Sequence, residues 1–202
     1  MFSNFYDNYT RQLSDALGQL DTGALSHLLS LMLDACKDRH QIFILGNGGS
    51  AACASHWVCD FNKGATTPGH SRVKMHCLSD NASIVSAISN DITNDEIFAY
   101  QLENLAAPGD LIICLSVSGK SPNLLAAARR GKALGCHTAA IIGDYDGQLA
   151  QLCDHCITIQ SQNYGVVEDL HLIINHILSQ YIRQLYSTAS VQDSPSPGGE
   201  VL

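Results

Sequence analysis

Apolar residues recur at helical spacing over 3–19 and again over 22–38, which predicts two amphipathic helices, the second capped by Asp21 or Thr22. The pattern then changes. QIFILG (41–46) is a short apolar run ending in glycine, the pattern of a buried strand, and SAACASHWVCDFNKG (50–64) returns to helical spacing. RVKMHCL (72–78) predicts a strand, and 81–89 and 94–105 predict helices before the turn Pro108-Gly109-Asp110. LIICLS (111–116) is a second strongly apolar strand. SPNLLAAARRGKALG (121–135) has Pro122 near its start and Gly135 at its end, the two marks of helix boundaries. CHTAAII (136–142) is a strand, DGQLAQL (146–152) a short helix, HCITIQ (155–160) the last strand, and 166–186 a long helix. Strands alternating with helices predict an α/β fold, a doubly wound sandwich with a five-stranded parallel sheet flanked by helices. One domain over 1–186 is expected, N-terminal helices included. The Ser-, Pro- and Gly-rich tail 187–202 is expected to be disordered. There is no internal repeat.

Composition narrows the function classes. At 202 residues with 46% hydrophobic residues, the chain can bury a substantial core. Its net charge of −8 argues against a nucleic-acid or anionic-membrane binder, since either needs a basic face. A small anionic substrate needs only a local cluster of donors and remains open. No apolar run approaches the ~20 residues of a membrane span. The N-terminal MFSNFYDNYTRQ has no export-signal core, which predicts a cytoplasmic setting. In that setting Cys36, Cys53, Cys59, Cys77, Cys114 and Cys136, all within apolar patterns, are expected to be reduced core thiols. Cys153-x-x-Cys156 lacks the second pair of a zinc ribbon and is read as coincidence at a strand entrance.

Two loops stand where a strand meets a helix. Gly46-Asn47-Gly48-Gly49-Ser50 permits tight turning and close approach of a ligand to backbone N–H groups. It is neither a dinucleotide fingerprint nor a Walker loop. Ser116-Val117-Ser118-Gly119-Lys120-Ser121 places three hydroxyls and a glycine at a helix N-terminus, where free N–H donors and partial positive charge suit a phosphate monoester. Lys120 adds a point charge, and the plainer reading is a turn capped by Ser121. His56 and Asp60, four apart, share a helical face. Glu168, Asp169, His171 and His176 lie in the long C-terminal helix, and Asn90-Asp91 in a polar break between helices.

In order and spacing, GNGGS, HxxxD, SND, SxSGxS and VEDLHLIINHIL together resemble the phosphoheptose isomerase family of the sugar isomerase (SIS) superfamily, over roughly residues 5–186. The resemblance implies an SIS-type fold and a set of roles. Asn47, Gly48, Gly49, Asn90 and Asp91 would contact the substrate, and Ser116, Val117, Ser118 and Ser121 would form the phosphate loop. His56 matches a family metal ligand. Asp60 stands where a glutamate, both acid/base and ligand, is usual. Glu168 stands where the family has a glutamine, and His176 matches the second acid/base histidine, also a ligand. Val117 and Lys120 replace the usual Thr and Asn. Asp is shorter than Glu by one methylene, ~1.5 Å, and a misplacement near 1 Å costs ~100-fold in rate. His56, Asp60, Glu168 and His176 form a donor set for Zn²⁺ or another divalent metal, with His171 the runner-up ligand.

The implied chemistry is ketose–aldose isomerisation of a heptose 7-phosphate, a surface-polysaccharide precursor, through an enediol. Asp60 and His176 are the acid/base candidates. The alternative is a non-catalytic SIS module that binds a phosphosugar or associates with a replication initiator. Glu168 and His176, eight residues apart in one helix, are separated by ~12 Å along its axis. That separation predicts a site shared between subunits, and the resemblance implies a homotetramer with sites at its interfaces. Hybrids of Asp60- and His176-inactivated subunits are then expected to regain activity.

Overall fold

The five apolar runs become five parallel strands, and the helices between them return the chain for the next. The computed structural model describes residues 1–192. In chain order the elements are α1 (Phe2–Gly18), α2 (Thr22–Lys37), β1 (Ile42–Gly46), α3 (Gly48–Cys59), β2 (Met75–Cys77), α4 (Ala82–Asp91), α5 (Ala99–Leu105), β3 (Leu111–Ser116), α6 (Pro122–Ala133), β4 (His137–Gly143), α7 (Leu149–Leu152), β5 (His155–Ile159) and α8 (Tyr164–Gln192). A π-turn (Asp60–Gly64) follows α3, and a 3₁₀ turn (Asn94–Glu96) precedes α5. The strand order is β2-β1-β3-β4-β5, every pairing parallel. This is the predicted doubly wound architecture.

Alternation along the buried strands divides the core in two. Ile42, Ile44, Leu111, Ile113, Ala139 and Ile141 face a layer that includes Leu28, Trp57, Leu170 and Ile174, from α2, α3 and α8. Phe43, Leu45, Ile112, Cys114, Ala140 and Ile142 face the other, with Ile88, Leu102 and Leu124 from α4, α5 and α6. Asp21 caps α2 by accepting from the Gly23 and Ala24 amides.

Several boundaries differ from expectation. The strand expected over 72–78 pairs only over Met75–Cys77, because it is the edge strand and has one neighbour. The helix expected over 94–105 is a 3₁₀ turn followed by α5. Asn90 and Asp91 do not break the chain but form the last turn of α4. Helix α8 continues to Gln192, past residue 186 where the tail was expected to begin, and the rest of that tail lies outside the described residues. Cys59 is exposed rather than in the core, whereas Cys36, Cys53, Cys114 and Cys136 are buried free thiols. Among the described residues no helix is long and apolar enough to cross a membrane.

Candidate active site

The serine loop leaves β3 at Ser116 and enters α6 at Pro122. Gly119 makes the turn possible: its φ is 65°, and a β-carbon there would lie 3.0 Å from the Gly147 Cα. The loop binds itself into a cradle. The Gly119 amide donates to Ser116 Oγ (3.0 Å) and the Lys120 amide to Ser118 Oγ (3.2 Å). Ser121 occupies the N-cap position of α6, yet its hydroxyl makes no cap bond, contrary to the plainer reading of the loop. The cradle and the glycine loop meet at the crevice between β3 and β1, where α/β sheets bind ligands beyond their strand ends. Asn47 and Asn123 close it with a reciprocal amide pair, 2.9 and 3.0 Å. Asn47, Ser50, Ser116, Ser118, Ser121 and Glu168 are among the residues lining a cavity of about 100 Å³ here. That volume equals roughly three waters at their liquid share of ~30 Å³, the scale of one phosphate group.

Glu168 reaches this cavity because Gly49 has no side chain. A β-carbon on Gly49 would lie 2.3 Å from the Glu168 carboxylate oxygens. The carboxylate thus faces the first turn of α3, where partial positive charge favours it. Its neighbour Asp169 accepts from the Tyr9 hydroxyl at 2.6 Å, which ties α1 to α8. Burial and the Asp169 carboxylate push the Tyr9 phenol up to about 12, so it remains a donor.

Helices α3 and α8 run side by side in the same direction. Trp57 Nε1 donates to the His171 carbonyl at 3.0 Å, and farther along Asn175 Nδ2 donates to Asp60 Oδ2 at 2.7 Å. The second cluster sits at that far end. His56 Nε2 lies 3.3 Å from Asp60 Oδ2, His176 Nε2 lies 3.4 Å from the same oxygen, and the two imidazole nitrogens are 3.2 Å apart. Asp60 begins the π-turn, in which the Ala65 amide reaches back to the Asp60 carbonyl at 2.7 Å. The side chains are 47% (His56), 26% (Asp60) and 46% (His176) exposed, so the donors open to solvent. In a tetrahedron with metal–ligand bonds of ~2.0–2.1 Å, neighbouring ligand atoms stand ~3.3 Å apart. The three donors match that spacing and leave a fourth position to another ligand. Among the described residues His56, Asp60 and His176 form a group that could hold a metal ion.

Of the four expected ligands, one chain therefore brings together His56, Asp60 and His176, and holds Glu168 apart in the serine cavity. Asp60 and His176 belong to the same chain's cluster, which corrects the expectation that they come from different subunits. His171 is no ligand of this cluster. It is fully buried on the inner face of α8, with Nε2 on the Ile141 carbonyl at 3.2 Å, and burial pushes its pKa down to about 4. Gly48 lies in the glycine loop with φ 55°, its α-carbon facing open space. Val117 lines the cradle, and its carbonyl accepts from the Gly143 amide at 2.9 Å. Asn90 and Asp91 are exposed and bonded to each other at 2.7 Å, and they line neither the serine cavity nor the cavity beside Asp60 and His176. Sequence reasoning missed Asn123 and Asn175, the amides that hold Asn47 and Asp60. The available signal was a polar residue inside an otherwise apolar helical stripe.

The sequence profile of the SIS domain matches residues 4–143. A phosphoheptose isomerase from Synechocystis is 32% identical over 190 residues, 94% of this chain and 97% of that protein. The chain belongs to the phosphoheptose isomerase family. A probable phosphoheptose isomerase from Thermoplasma acidophilum is also 32% identical, over 75% of this chain and 83% of that one. The structure of the phosphoheptose isomerase from Neisseria gonorrhoeae superposes with a TM-score of 0.82 over 91% of this chain and 97% of that chain. At 23% identity, that likeness speaks for the SIS fold, in which the cradle and the His–Asp–His cluster are now set.

Proposed function

We propose that this phosphoheptose isomerase family member converts sedoheptulose 7-phosphate to D-glycero-D-manno-heptose 7-phosphate. The observation that carries the reading is the spacing of His56, Asp60 and His176, two imidazoles and a carboxylate converging within 3.4 Å. Isomerisation requires a base to take the proton from the carbon beside the carbonyl and an acid to return it to the neighbouring carbon. Asp60 and His176 supply two such groups a hydrogen bond apart. Asn175 holds the Asp60 carboxylate by one oxygen, which fixes its direction. Ser116, Ser118 and Ser121 receive the phosphate at the N-terminus of α6. Asn47, Gly48 and Gly49 offer the sugar an adjoining edge, and Glu168 accepts from its hydroxyls. A divalent ion, taken here as Zn²⁺, would be held by His56, Asp60 and His176 and would supply polarisation of the carbonyl and stabilisation of the enediolate.

The cradle and the cluster lie toward opposite ends of α3, whose twelve residues span ~18 Å at ~1.5 Å per residue. One sugar phosphate does not bridge that distance. The working site thus combines one subunit's cluster with the partner subunit's cradle and the partner subunit's Glu168, as in a homotetramer with interfacial sites. Exposed Phe2, Phe5 and Tyr6 on α1 and Ile177, Tyr181 and Leu185 on α8 offer apolar surface for that assembly. Incubation with sedoheptulose 7-phosphate tests the reading, with product identification and metal analysis of the same sample. Formation of the aldose phosphate is expected; its absence at every enzyme concentration overturns the assignment.

A further inference from the structure

At the opposite end of the strands, where β1 and β2 begin, Cys36, Arg39, His70, Arg72, Val73 and Lys74 line another cavity, of about 410 Å³. Arg39 leads into β1, and Arg72 and Lys74 lead into β2. The two strands are parallel neighbours with Ile42 opposite Met75, so the approaching segments lie side by side. A chain of net charge −8 thus gathers three of its eleven Lys and Arg residues around one hollow. Among the described residues no carboxylate forms an ion pair with Arg39, Arg72 or Lys74, whereas Arg130 and Lys132 elsewhere are paired. Arg39 and Arg72 are exposed and Lys74 half-buried, and like charges gathered around one hollow repel one another unless an anion answers them.

The backbone adds a second observation. Arg39 has φ 63°, in the left-handed region at the turn that follows α2. Glycine is the ordinary residue there, and a side chain at such a position costs ~1–2 kcal/mol. Lys74 Nζ donates to the Arg39 carbonyl at 2.8 Å and holds the turn. The dipole of α2 accounts for one cation at its end, but not for Arg72 and Lys74 on the facing segment. His70 stacks on Tyr186 at 4.5 Å and 6°, which fixes one wall. The buried Cys36 thiol, pushed up to about 11 by desolvation, is a neutral floor.

We propose that this cavity binds a small multiply charged anion, a phosphate monoester or a diphosphate, as a second site apart from the serine cradle. Two guanidinium groups suit bidentate phosphate recognition and the ammonium supplies a point charge. The cavity falls within the ~300–1,000 Å³ range of small-molecule pockets.

Thermal unfolding of the full chain with pyrophosphate as probe tests the proposal, against sodium chloride at matched ionic strength. A saturable rise in Tm of roughly 5 °C is expected for a ligand well above its Kd. The rise should persist in Ser118→Ala/Ser121→Ala and vanish in Arg39→Gln/Arg72→Gln. Arg39→Gly guards against a variant that merely fails to fold. Glycine suits the left-handed turn, so its Tm without ligand should equal or exceed that of the parent, while its response to pyrophosphate falls. The proposal is overturned by an equal rise with sodium chloride, by a rise lost with the serines, or by an undiminished response in Arg39→Gly.

Discussion

The first turns and the middle of α8 face opposite chemical demands. At its start Glu168 looks into a cavity built of hydroxyls and amides, closed by paired asparagines and shaped for an anion. Two turns later His176 joins His56 and Asp60 in an open cluster shaped for a cation. The first is organised by backbone: glycine at 49 and 119, and amides folded onto serine oxygens. The second is organised by side chains spaced four apart at the end of α3 and the start of the π-turn, with Asp60 held by Asn175. Eight residues of sequence therefore separate the hydroxyl-lined cavity from the His–Asp–His cluster, and a single chain holds both without bringing them to one point.

The sharpest way to break that contrast is to disable the cation end. Asp60→Asn or His176→Ala should lower turnover by at least ~100-fold with little change in KM, in steady-state kinetics on folded protein. Mixing these two variants should restore nothing, since both groups belong to one chain's cluster. Mixing Asp60→Asn with Ser118→Ala/Ser121→Ala should restore activity if sites are shared between subunits. Recovery in the first mixture and not in the second would reverse the assignment.

The anion end should respond in binding instead. Ser118→Ala or Ser121→Ala each removes charge-assisted hydrogen bonds of ~1.5–3 kcal/mol, expected as roughly a 10- to 100-fold rise in Kd for the phosphosugar. Titration calorimetry measures it, and unchanged affinity in the double variant would put the phosphate elsewhere.

Gly49 lies in the first turn of α3, the helix that leads from the cavity to the cluster. Gly49→Ala forces its new carbon against the Glu168 carboxylate, and overpacking of this kind costs ~1–3 kcal/mol. Combining it with Glu168→Ala should recover most of that loss in chemical denaturation. Failure to recover would mean that the crowding lies in the backbone.

His171, between the two, should show itself through pH. Burial depresses its native pKa to about 4, against the ordinary histidine value of about 6.5. Above 6.5 the histidine is neutral in both states and its burial costs nothing in protons. As pH falls below 6.5 the unfolded chain takes up a proton that the native state refuses, so stability drops until the native group also titrates near 4. Between pH 7 and pH 5 the loss is about 2 kcal/mol. Denaturant midpoints at the two pH values should show it, and His171→Gln should remove most of it.

Much of this was legible beforehand. Five apolar runs and their intervening helical patterns gave the sheet, because burial on both faces writes itself as unbroken hydrophobicity. Both glycine-bearing loops were found by their place after a strand. What the pattern could not express was lateral. His56 and Asp60 were paired by their spacing, but their meeting with His176 depends on how α3 lies along α8. His171 and His176 look alike in sequence, and only packing sends one under the sheet layer and the other to solvent. The edge strand and the end of α8 were misjudged for a related reason: neighbours, or their absence, decide where an element stops.

The Asn47–Asn123 pair carries a consequence for the protein's chemical lifetime. Asn47 is followed by Gly48, and an asparagine before glycine is the setting in which the side-chain amide is most readily attacked by the next backbone nitrogen. Hydrolysis there would replace the amide nitrogen that Asn123 now accepts from with a carboxylate oxygen. The brace would lose one of its two bonds, and the cavity would gain a second negative charge beside that of Glu168. An ageing preparation should therefore lose its hold on phosphate before it loses its fold.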